Sequence, residues 1–353
     1  MTLPRLPRHA AYVHFSNPRR RNALSLQVLR SLQDQLIAHN TSPATGQRLF
    51  LPPFKPPMLT QLEQASNSKH IQDTSYAWLV SARAWARDRA GLPNVLVLAS
   101  PNDSPERAPV FSSGHDLSEL RTLSPSDVRD TFRLCAEVMS LIRRSPALVV
   151  GRIHGLATAA GCQLALSTDL PIAHAAATNF QLPGAALGLP CTSPATAVSR
   201  RLGNGRAFRM LALAETVPAA DLADAGVCLV SGGADGDPAA QRDALDTEVL
   251  RTVERLAQMP AQQNAMGKWA FWTQAGLHGQ DYGLRDGGPT EDPRLGSGAD
   301  GYEDAVDWAG RVMALHARSE DAREGFDAFA HKRKPVWLCL GGAAADPGQD
   351  TSG

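Results

Sequence analysis

The sequence predicts an α/β fold, and three observations lead to this prediction. Short apolar runs of the kind buried on both faces of a parallel sheet occur at residues 95–98, 147–153 and 170–173. Segments whose apolar residues recur at helical spacing lie between these runs. Hydrophobic residues make up 43% of the 353-residue chain but aromatic residues only 6%. The core is therefore built from Ala, Leu and Val, as is usual in α/β proteins.

The N-terminal part predicts a strand at 12–15, a loop from Asn17 through three arginines, and a helix at 24–37. The apolar pattern then degrades between residues 41 and 91. Prolines at 52, 53, 56 and 57 cannot lie inside a helix or a central strand, because proline lacks the N–H and fixes φ. We interpret 41–91 as a Pro-rich insertion.

The core pattern resumes at residue 95 and continues with a well-marked helix. Ser124, Pro125 and Asp127 are typical of a helix N-terminus, and apolar residues follow at helical spacing up to Pro146. Residues 155–168 predict a Gly/Ala-rich turn and helix, 193 a further helix start, 227–230 a strand, and 240–259 and 306–329 helices. The predicted organisation is a core at 1–250, a C-terminal helical oligomerisation region at 251–337 with a Gly/Asp/Pro-rich insertion at 279–303, and a tail at 338–353.

Charge and composition exclude several functional classes. Lys and Arg total 35 and Asp and Glu total 35, so no net basic field attracts nucleic acid. The least polar uncharged stretch, 153–168, is shorter than the roughly 20 residues of a membrane span. Five widely spaced cysteines without a C-x-x-C pair fit neither a disulfide framework nor a zinc site. Residues 1–33 contain six arginines and no acid, a bias seen in mitochondrial presequences.

Two glycine-bearing segments could carry chemistry: Phe-Ser-Ser-Gly-His-Asp-Leu at 111–117 and His-Gly-Leu-Ala-Thr-Ala-Ala-Gly-Cys-Gln-Leu at 154–164. The second follows a buried strand and opens a helix. The first turn of a helix has N–H groups without intrahelical partners and can bind an anion or a developing oxyanion. Taken alone, either segment is more often a means of close packing than a functional site.

Taken in order, five segments resemble the enoyl-CoA hydratase/isomerase (crotonase) superfamily: Asn-Ala-Leu-Ser at 22–25, the two glycine-bearing segments, Pro-Gly-Ala-Ala-Leu-Gly-Leu at 183–189 and Lys-Arg-Lys-Pro at 332–335. The resemblance implies a crotonase (ClpP-like) spiral of ββα units with a C-terminal helical trimerisation region. It also implies homotrimers or homohexamers, acyl-CoA binding in fatty-acid metabolism, and a mitochondrial matrix location, with the cytosol as the alternative. No cofactor is expected beyond the coenzyme A of the substrate, and no metal.

The resemblance assigns roles to individual positions. The thioester oxyanion donors fall on the backbone N–H groups of His115 and Ala160, while a direct role for the His115 imidazole stays open. The two glutamates that hydratases of this family use fall on Gln163 and Gly184, neither of which can exchange a proton. The expected CoA-binding residues are two basic clusters, each of which could equally be a solvated surface: Arg20, Arg21, Asn22, Ala23 and Leu24, and the terminal Lys332 and Lys334.

Three hypotheses remain open at this point. The first is an enzyme that stabilises an enolate without a base, as decarboxylation of a malonyl-type thioester requires. The second is a catalytically degenerate acyl-CoA binder that regulates lipid metabolism. The third is a hydratase whose acid comes from the 41–91 insertion.

Other polar or reactive residues favour structural interpretations. We expect Asp116 and Asp169 to bind backbone groups at turns or helix ends. Cys162 and Cys191 are expected to be small apolar side chains, and His154 to be part of the core.

Overall fold

The computed structural model describes residues 3–55, 58–67, 75–100, 108–232, 237–275, 314, 317 and 320–336. Five strands form a parallel sheet in the order β1-β2-β4-β6-β9. They are β1 (Ala10–His14), β2 (Val95–Ala99), β4 (Leu148–Ile153), β6 (Leu170–His174) and β9 (Cys228–Val230). The strands predicted from buried apolar runs are confirmed.

A second, smaller sheet has the order β3-β5-β7-β8. Its strands are β3 (Val110–Ser112), β5 (Leu156–Thr158), β7 (Asn179–Gln181) and β8 (Thr216–Pro218), of which only β8 is antiparallel to its neighbour. Each of β3, β5 and β7 follows one strand of the first sheet and precedes a helix, which is the expected ββα order. Residues 156–158 correct our prediction of a turn there, because they pair with both neighbouring strands.

The helices connect and cover the sheets. They are α1 (Leu26–Ala38), α2 (Met58–Asn67), α3 (Ala77–Val80), α4 (Ala82–Asp88), α5 (Leu117–Leu120), α6 (Pro125–Arg144), α7 (Ala160–Leu166), α8 (Thr192–Leu202), α9 (Asn204–Leu213), α10 (Pro238–Ala257), α11 (Ala261–Ala275) and α12 (Glu320–Ala330). Helix α6 begins as predicted, since the Ser124 hydroxyl accepts a hydrogen bond from the Asp127 N–H. This contact satisfies one of the donors that a helix start leaves open.

The first sheet is buried on both faces because side chains alternate along each strand. Val95 and Val97 of β2 pack in one cluster with Val249 of α10. Leu96 and Leu98 point the other way, into the main core with α1, α6 and α7. This two-sided burial explains why the strands are continuous apolar runs rather than alternating ones.

The 41–91 insertion forms a second hydrophobic core with α11. Its fully buried members include Leu51 and Phe54, which cluster with Trp78 and Trp269. The Trp269 indole N–H donates to the Pro53 carbonyl at 3.1 Å. The prolines 52 and 53 lie outside any helix or strand, as predicted, but the described part of the insertion is an integral part of the fold.

The C-terminal helix α12 packs on its own chain. Phe326 is buried in a cluster with Leu120, Phe132 and Leu189. The predicted insertion at 279–303, most of 306–319 and the tail at 338–353 lie outside the described residues. The oligomerisation role of residues 251–337 stays a prediction. Among the described helices, none is long and apolar enough to cross a membrane.

Candidate active site

Three of the segments singled out by the sequence meet at one edge of the second sheet. Strands β3, β5 and β7 are adjacent and parallel, so their carboxyl ends lie on the same side. His115 follows β3, Ala160 follows β5 and Gly184 follows β7. The order of the strands places Ala160 between the other two.

The turn at Gly114 lies directly against the start of α7. A methyl group added to Gly114 would stand 2.8 Å from the Ala159 Cβ, 3.0 Å from the Thr158 carbonyl oxygen and 3.4 Å from the Ala160 nitrogen. Gly114 also has φ of +83°, a region that favours glycine. Only glycine therefore lets the backbone at His115 approach the backbone at Ala160 this closely.

The start of α7 presents backbone N–H groups to this edge. Ala160 is the first residue of the helix, and the first turn of an α-helix has no intrahelical acceptors for its N–H groups. Ala159 before it has φ 51° and ψ −123°, a strained conformation for a residue with a Cβ. Strain of this kind is common where a backbone group is held in a functional orientation.

The His115 imidazole lies in an apolar environment. Its ring packs edge-on against Phe132 with centroids 4.8 Å apart, and Nδ1 lies 3.4 Å from the Leu24 carbonyl oxygen. Loss of hydration lowers the pKa of His115 to about 4, although the contact with the Leu24 carbonyl acts in the opposite direction. The side chain is therefore neutral at pH 7.

Gln163 lies one helical turn after Ala160 and is fully buried. Its Nε2 donates to the Thr196 hydroxyl on α8 at 3.3 Å. Its Oε1 has no hydrogen-bond partner among the described residues. The position thus offers a buried amide and no ionisable group.

Gly184 is enclosed by the chain that follows it. A methyl group on Gly184 would stand 2.0 Å from the Leu189 carbonyl oxygen and 2.7 Å from the Cys191 Sγ. Hydrogen bonds fix this arrangement, because the Leu189 N–H donates to the Gly184 carbonyl and the Gly184 N–H donates to Cys191 Sγ. The position has no room for any side chain in the observed backbone conformation.

The loop at residues 20–24 lies beside the Gly114 turn. The Leu24 N–H donates to the Gly114 carbonyl at 2.7 Å, and the Asn22 side chain donates to the Val110 carbonyl at 2.9 Å. Asn22, Ala23 and Leu24 are buried, with at most 3% of each residue exposed. The side chains of Arg20 and Arg21 are exposed at the same place.

The C-terminal basic segment is tied to the same region through α5. Arg121, which directly follows α5, pairs with Asp327 of α12 at 3.1 Å. Arg333 pairs with both Asp327 and Glu324. Lys332 and Lys334 on either side of Arg333 are exposed. The two predicted basic clusters thus flank the helix that begins just after His115.

The two aspartates have the structural roles expected of them. Asp116 caps α5 by accepting a hydrogen bond from the Ser118 N–H at 3.0 Å. Asp169 accepts hydrogen bonds from the Val149 N–H at 2.8 Å and from the buried Lys268 ammonium at 2.7 Å.

The cysteines and His154 are buried, as expected. Burial raises the pKa of the Cys191 thiol to about 11 and raises that of Cys162 further, so both are uncharged at neutral pH. His154 is 4% exposed, with its ring 6.3 Å from that of His174. All three residues belong to the interior rather than to a reactive surface.

The insertion contacts helix α6 at the end that lies away from His115, and this bears on the third hypothesis. Phe132 of α6 contacts His115, whereas the Leu51 N–H donates to the carbonyl of Arg144 at the other end of α6. Twelve helical residues separate these contacts, which corresponds to about 18 Å along the helix axis. Leu51 therefore contacts α6 about 18 Å along the helix axis from the contact with His115, which disfavours the third hypothesis for this part of the insertion.

Two polar residues of the site were not predicted from the sequence. Thr196 holds the Gln163 amide from another helix, and the Thr158 hydroxyl is buried beside Ala159 without a partner among the described residues. Thr158 precedes the glycine-rich helix start directly, which is a usable signal. Thr196 has none, because its contact depends on how α7 and α8 pack.

Comparisons with known proteins agree with this architecture. A sequence model of the family described as enoyl-CoA hydratase/isomerase matches residues 95–281. The mouse protein "Enoyl-CoA hydratase domain-containing protein 3, mitochondrial" is 28% identical over 323 residues, covering 91% of this chain and 79% of that protein. The crystal structure of human enoyl coenzyme A hydratase domain-containing protein 3 superimposes with a TM-score of 0.53 at 26% identity, covering 94% and 98% of the two chains. Methylmalonyl-CoA decarboxylase superimposes with a TM-score of 0.57 at 18% identity, covering 96% and 99%, and shows the shared fold alone.

Proposed function

Because this chain belongs to the enoyl-CoA hydratase/isomerase family, we propose that it binds acyl-CoA thioesters at the edge formed by β3, β5 and β7. The observation that carries the proposal is the close approach of the Gly114 turn to Ala160. Two backbone N–H groups, of His115 and Ala160, would hold the thioester oxygen. In known oxyanion holes each donor contributes about 2.7 to 4 kcal/mol to stabilising the charged state.

We propose further that the protein does not catalyse ordinary hydration of enoyl thioesters. Hydration needs groups that take up and release a proton, and such groups typically contribute about 10²- to 10⁴-fold. Gln163 is an amide, and the backbone around Gly184 excludes a side chain. The His115 ring is directed at Phe132 and the Leu24 carbonyl.

The arrangement suits chemistry in which an enolate forms without a base. In a malonyl-type thioester the bond to the carboxylate carbon breaks, carbon dioxide leaves, and the electron pair moves into an enolate whose oxygen the two N–H groups hold. The enolate carbon then takes a proton from water. A protein that binds thioesters without turnover, as a regulator of fatty-acid metabolism, would use the same two donors.

The CoA moiety is assigned to the basic groups around α5. Arg20 and Arg21 are exposed beside the Gly114 turn, and Lys332 and Lys334 are exposed beyond α12. Replacing Arg20 and Arg21 by Glu should weaken CoA affinity in a salt-dependent way, because exposed charges are screened by ions. Unchanged affinity in both arginine variants would place the nucleotide elsewhere.

The decisive experiment incubates the protein with a mixed pool of 2-enoyl, 3-enoyl, saturated and malonyl-type CoA thioesters. Mass spectrometry then records the converted species and those retained on the protein. Loss of carbon dioxide from the malonyl-type thioester supports enolate chemistry, and retention without conversion supports a binding protein. Gain of water by the 2-enoyl thioester would contradict the argument from Gln163 and Gly184, and neither retention nor conversion would refute acyl-CoA binding.

We also infer a mitochondrial matrix location and a homotrimeric or homohexameric assembly. The name of the mouse relative and the arginine-rich, acid-free residues 1–33 support the location. Imaging of a C-terminal fluorescent fusion distinguishes mitochondria from the cytosol, and protease protection in swollen mitochondria identifies the matrix. Light scattering of the purified chain measures the assembly, and a monomer would refute it.

A further inference from the structure

A cleft of about 250 Å³ lies between the C-terminal end of α7 and helix α11. Leu166 and Ser167 line it on the side of α7, and Leu166 follows Ala160 by about 9 Å along the helix axis. The last turns of α6 and α8 and the C-terminal half of α11 supply other walls. Its volume is below the roughly 300 to 1,000 Å³ of pockets for drug-sized ligands, so it suits a small molecule.

Two arginines from the last turn of α8 line the cleft, and hydrogen bonds orient both of them. Arg201 donates to the carbonyl oxygens of Leu166 and Thr168 at 3.0 and 2.7 Å. Arg200 donates to the Thr196 carbonyl oxygen at 3.2 Å. Backbone carbonyls are neutral acceptors, so these bonds position the guanidinium groups without removing their charge.

A third arginine and two aromatic rings complete the character of the lining. The Arg143 guanidinium stacks on the ring of Trp272, with its central carbon 3.2 Å from the ring centroid, and the exposed ring of Phe271 lies beside it in the chain. Asp169 is the one carboxylate among the described residues that line the cleft, and it already binds the Lys268 ammonium at 2.7 Å. The described lining therefore combines net positive charge with aromatic surface.

We propose that this cleft binds a small organic carboxylate with an apolar body, at a site separate from that of the acyl thioester. Guanidinium groups match a carboxylate because they can donate two parallel hydrogen bonds to it. The rings of Phe271 and Trp272 provide apolar surface for the rest of the ligand. Inorganic phosphate has the charge but no apolar body, and a neutral amide has the body but no charge. The inference does not depend on the proposed binding of acyl-CoA.

The test measures binding of benzoate, benzamide and inorganic phosphate to the full chain by isothermal titration calorimetry. Benzoate should bind about tenfold more tightly than either of the others, since hydrogen bonds to charged groups are worth about 1.5 to 3 kcal/mol. Equal affinity for benzoate and benzamide would overturn the role of the arginines. Equal affinity for benzoate and phosphate would overturn the apolar part, and no binding of benzoate would refute the site.

Two variants test whether benzoate occupies this cleft. Arg200→Gln should weaken benzoate binding about 3- to 10-fold, and Phe271→Ala should weaken it as well, because both side chains are exposed and line the cleft. Arg209→Gln is the matched control, since Arg209 is an exposed arginine of α9 that pairs with Glu215 outside the cleft. Unchanged affinity in both cleft variants, or an equal loss in Arg209→Gln, would place the ligand elsewhere and refute the proposal.

A competition experiment separates this site from the proposed acyl-CoA site. The dissociation constant of benzoate should be the same with and without saturating butyryl-CoA, because the cleft lies at the other end of α7 from Ala160. Displacement of benzoate by butyryl-CoA would overturn the separate site. If butyryl-CoA does not bind at all, the proposed function fails, while the titrations with benzoate and benzamide still decide the cleft.

Discussion

Replacing Gly184 by Ala should destabilise the protein strongly, although only one methyl group is added. The methyl would stand 2.0 Å from the Leu189 carbonyl oxygen, which is backbone and cannot rotate away. That segment is held by the hydrogen bond from the Leu189 N–H to the Gly184 carbonyl at 2.9 Å. Overpacking typically costs about 1 to 3 kcal/mol, and contact with a fixed carbonyl places this change at the upper end.

Gly205→Ala in α9 is the matched control, because nothing lies within 4 Å of a methyl group there. It should leave the free energy of unfolding unchanged or raise it by up to about 1 kcal/mol, since alanine favours a helix over glycine. Urea denaturation of both variants gives the difference. Equal stability of the two variants would refute the steric argument.

The same geometry predicts that the missing glutamate cannot be restored by substitution. Gly184→Glu, alone or combined with Gln163→Glu, should gain no hydration of crotonyl-CoA, measured by loss of the enoyl absorbance. The added carboxylate would have to displace the segment from Leu189 to Cys191. If a folded double variant hydrated crotonyl-CoA, the backbone around Gly184 would be able to accommodate a glutamate, and the steric argument would be refuted.

Three further predictions concern other parts of the molecule. Gly114→Ala should weaken acyl-CoA binding by at least about tenfold in calorimetry, because the added methyl group displaces an oxyanion donor. Gly46→Ala is the control, because Gly46 also has a positive φ but lies in open space, and it should leave the affinity unchanged. Equal loss of affinity in the two variants would count against the site. Because the pKa of His115 is about 4 when folded and about 6.5 when unfolded, only the unfolded chain takes up this proton between these values. The free energy of unfolding should therefore fall by up to about 3 kcal/mol as pH drops from about 6.5 to about 4, and by less in so far as the ring is exposed. A His115→Asn variant should lose this pH dependence. If it retained the same pH dependence, His115 would not be its source. Trp269→Ala should lower the free energy of unfolding by about 3 to 5 kcal/mol in urea denaturation, because Trp269 is buried in the second core. Phe271→Ala is the control and should lower it by about 0.5 kcal/mol or less, because Phe271 is 53% exposed. Similar losses in the two variants would refute a second core.

The sequence by itself determined the elements with strong local signals. The strand at Val95–Ala99 is recognisable because both faces are buried, and α6 because Ser124 and Pro125 define its start. The Gly114 turn and the helix start at Ala160 were likewise identified, since close backbone approach demands small residues. Each of these features can be recognised from the residues of the segment itself.

Only the tertiary structure decided the features that depend on distant contacts. Strands β3, β5 and β7 have three residues each, and their identity as strands comes from pairing rather than from composition. The sequence shows that Gly184 lacks a carboxylate, but only the folded chain shows that Leu189 fills the space. The direction of the Gln163 amide depends on Thr196, 33 residues away. The sequence specifies which side chains and backbone groups stand at each position of the site. Packing between distant segments determines how much space surrounds each of these groups, how polar its surroundings are and which hydrogen-bond partners it has.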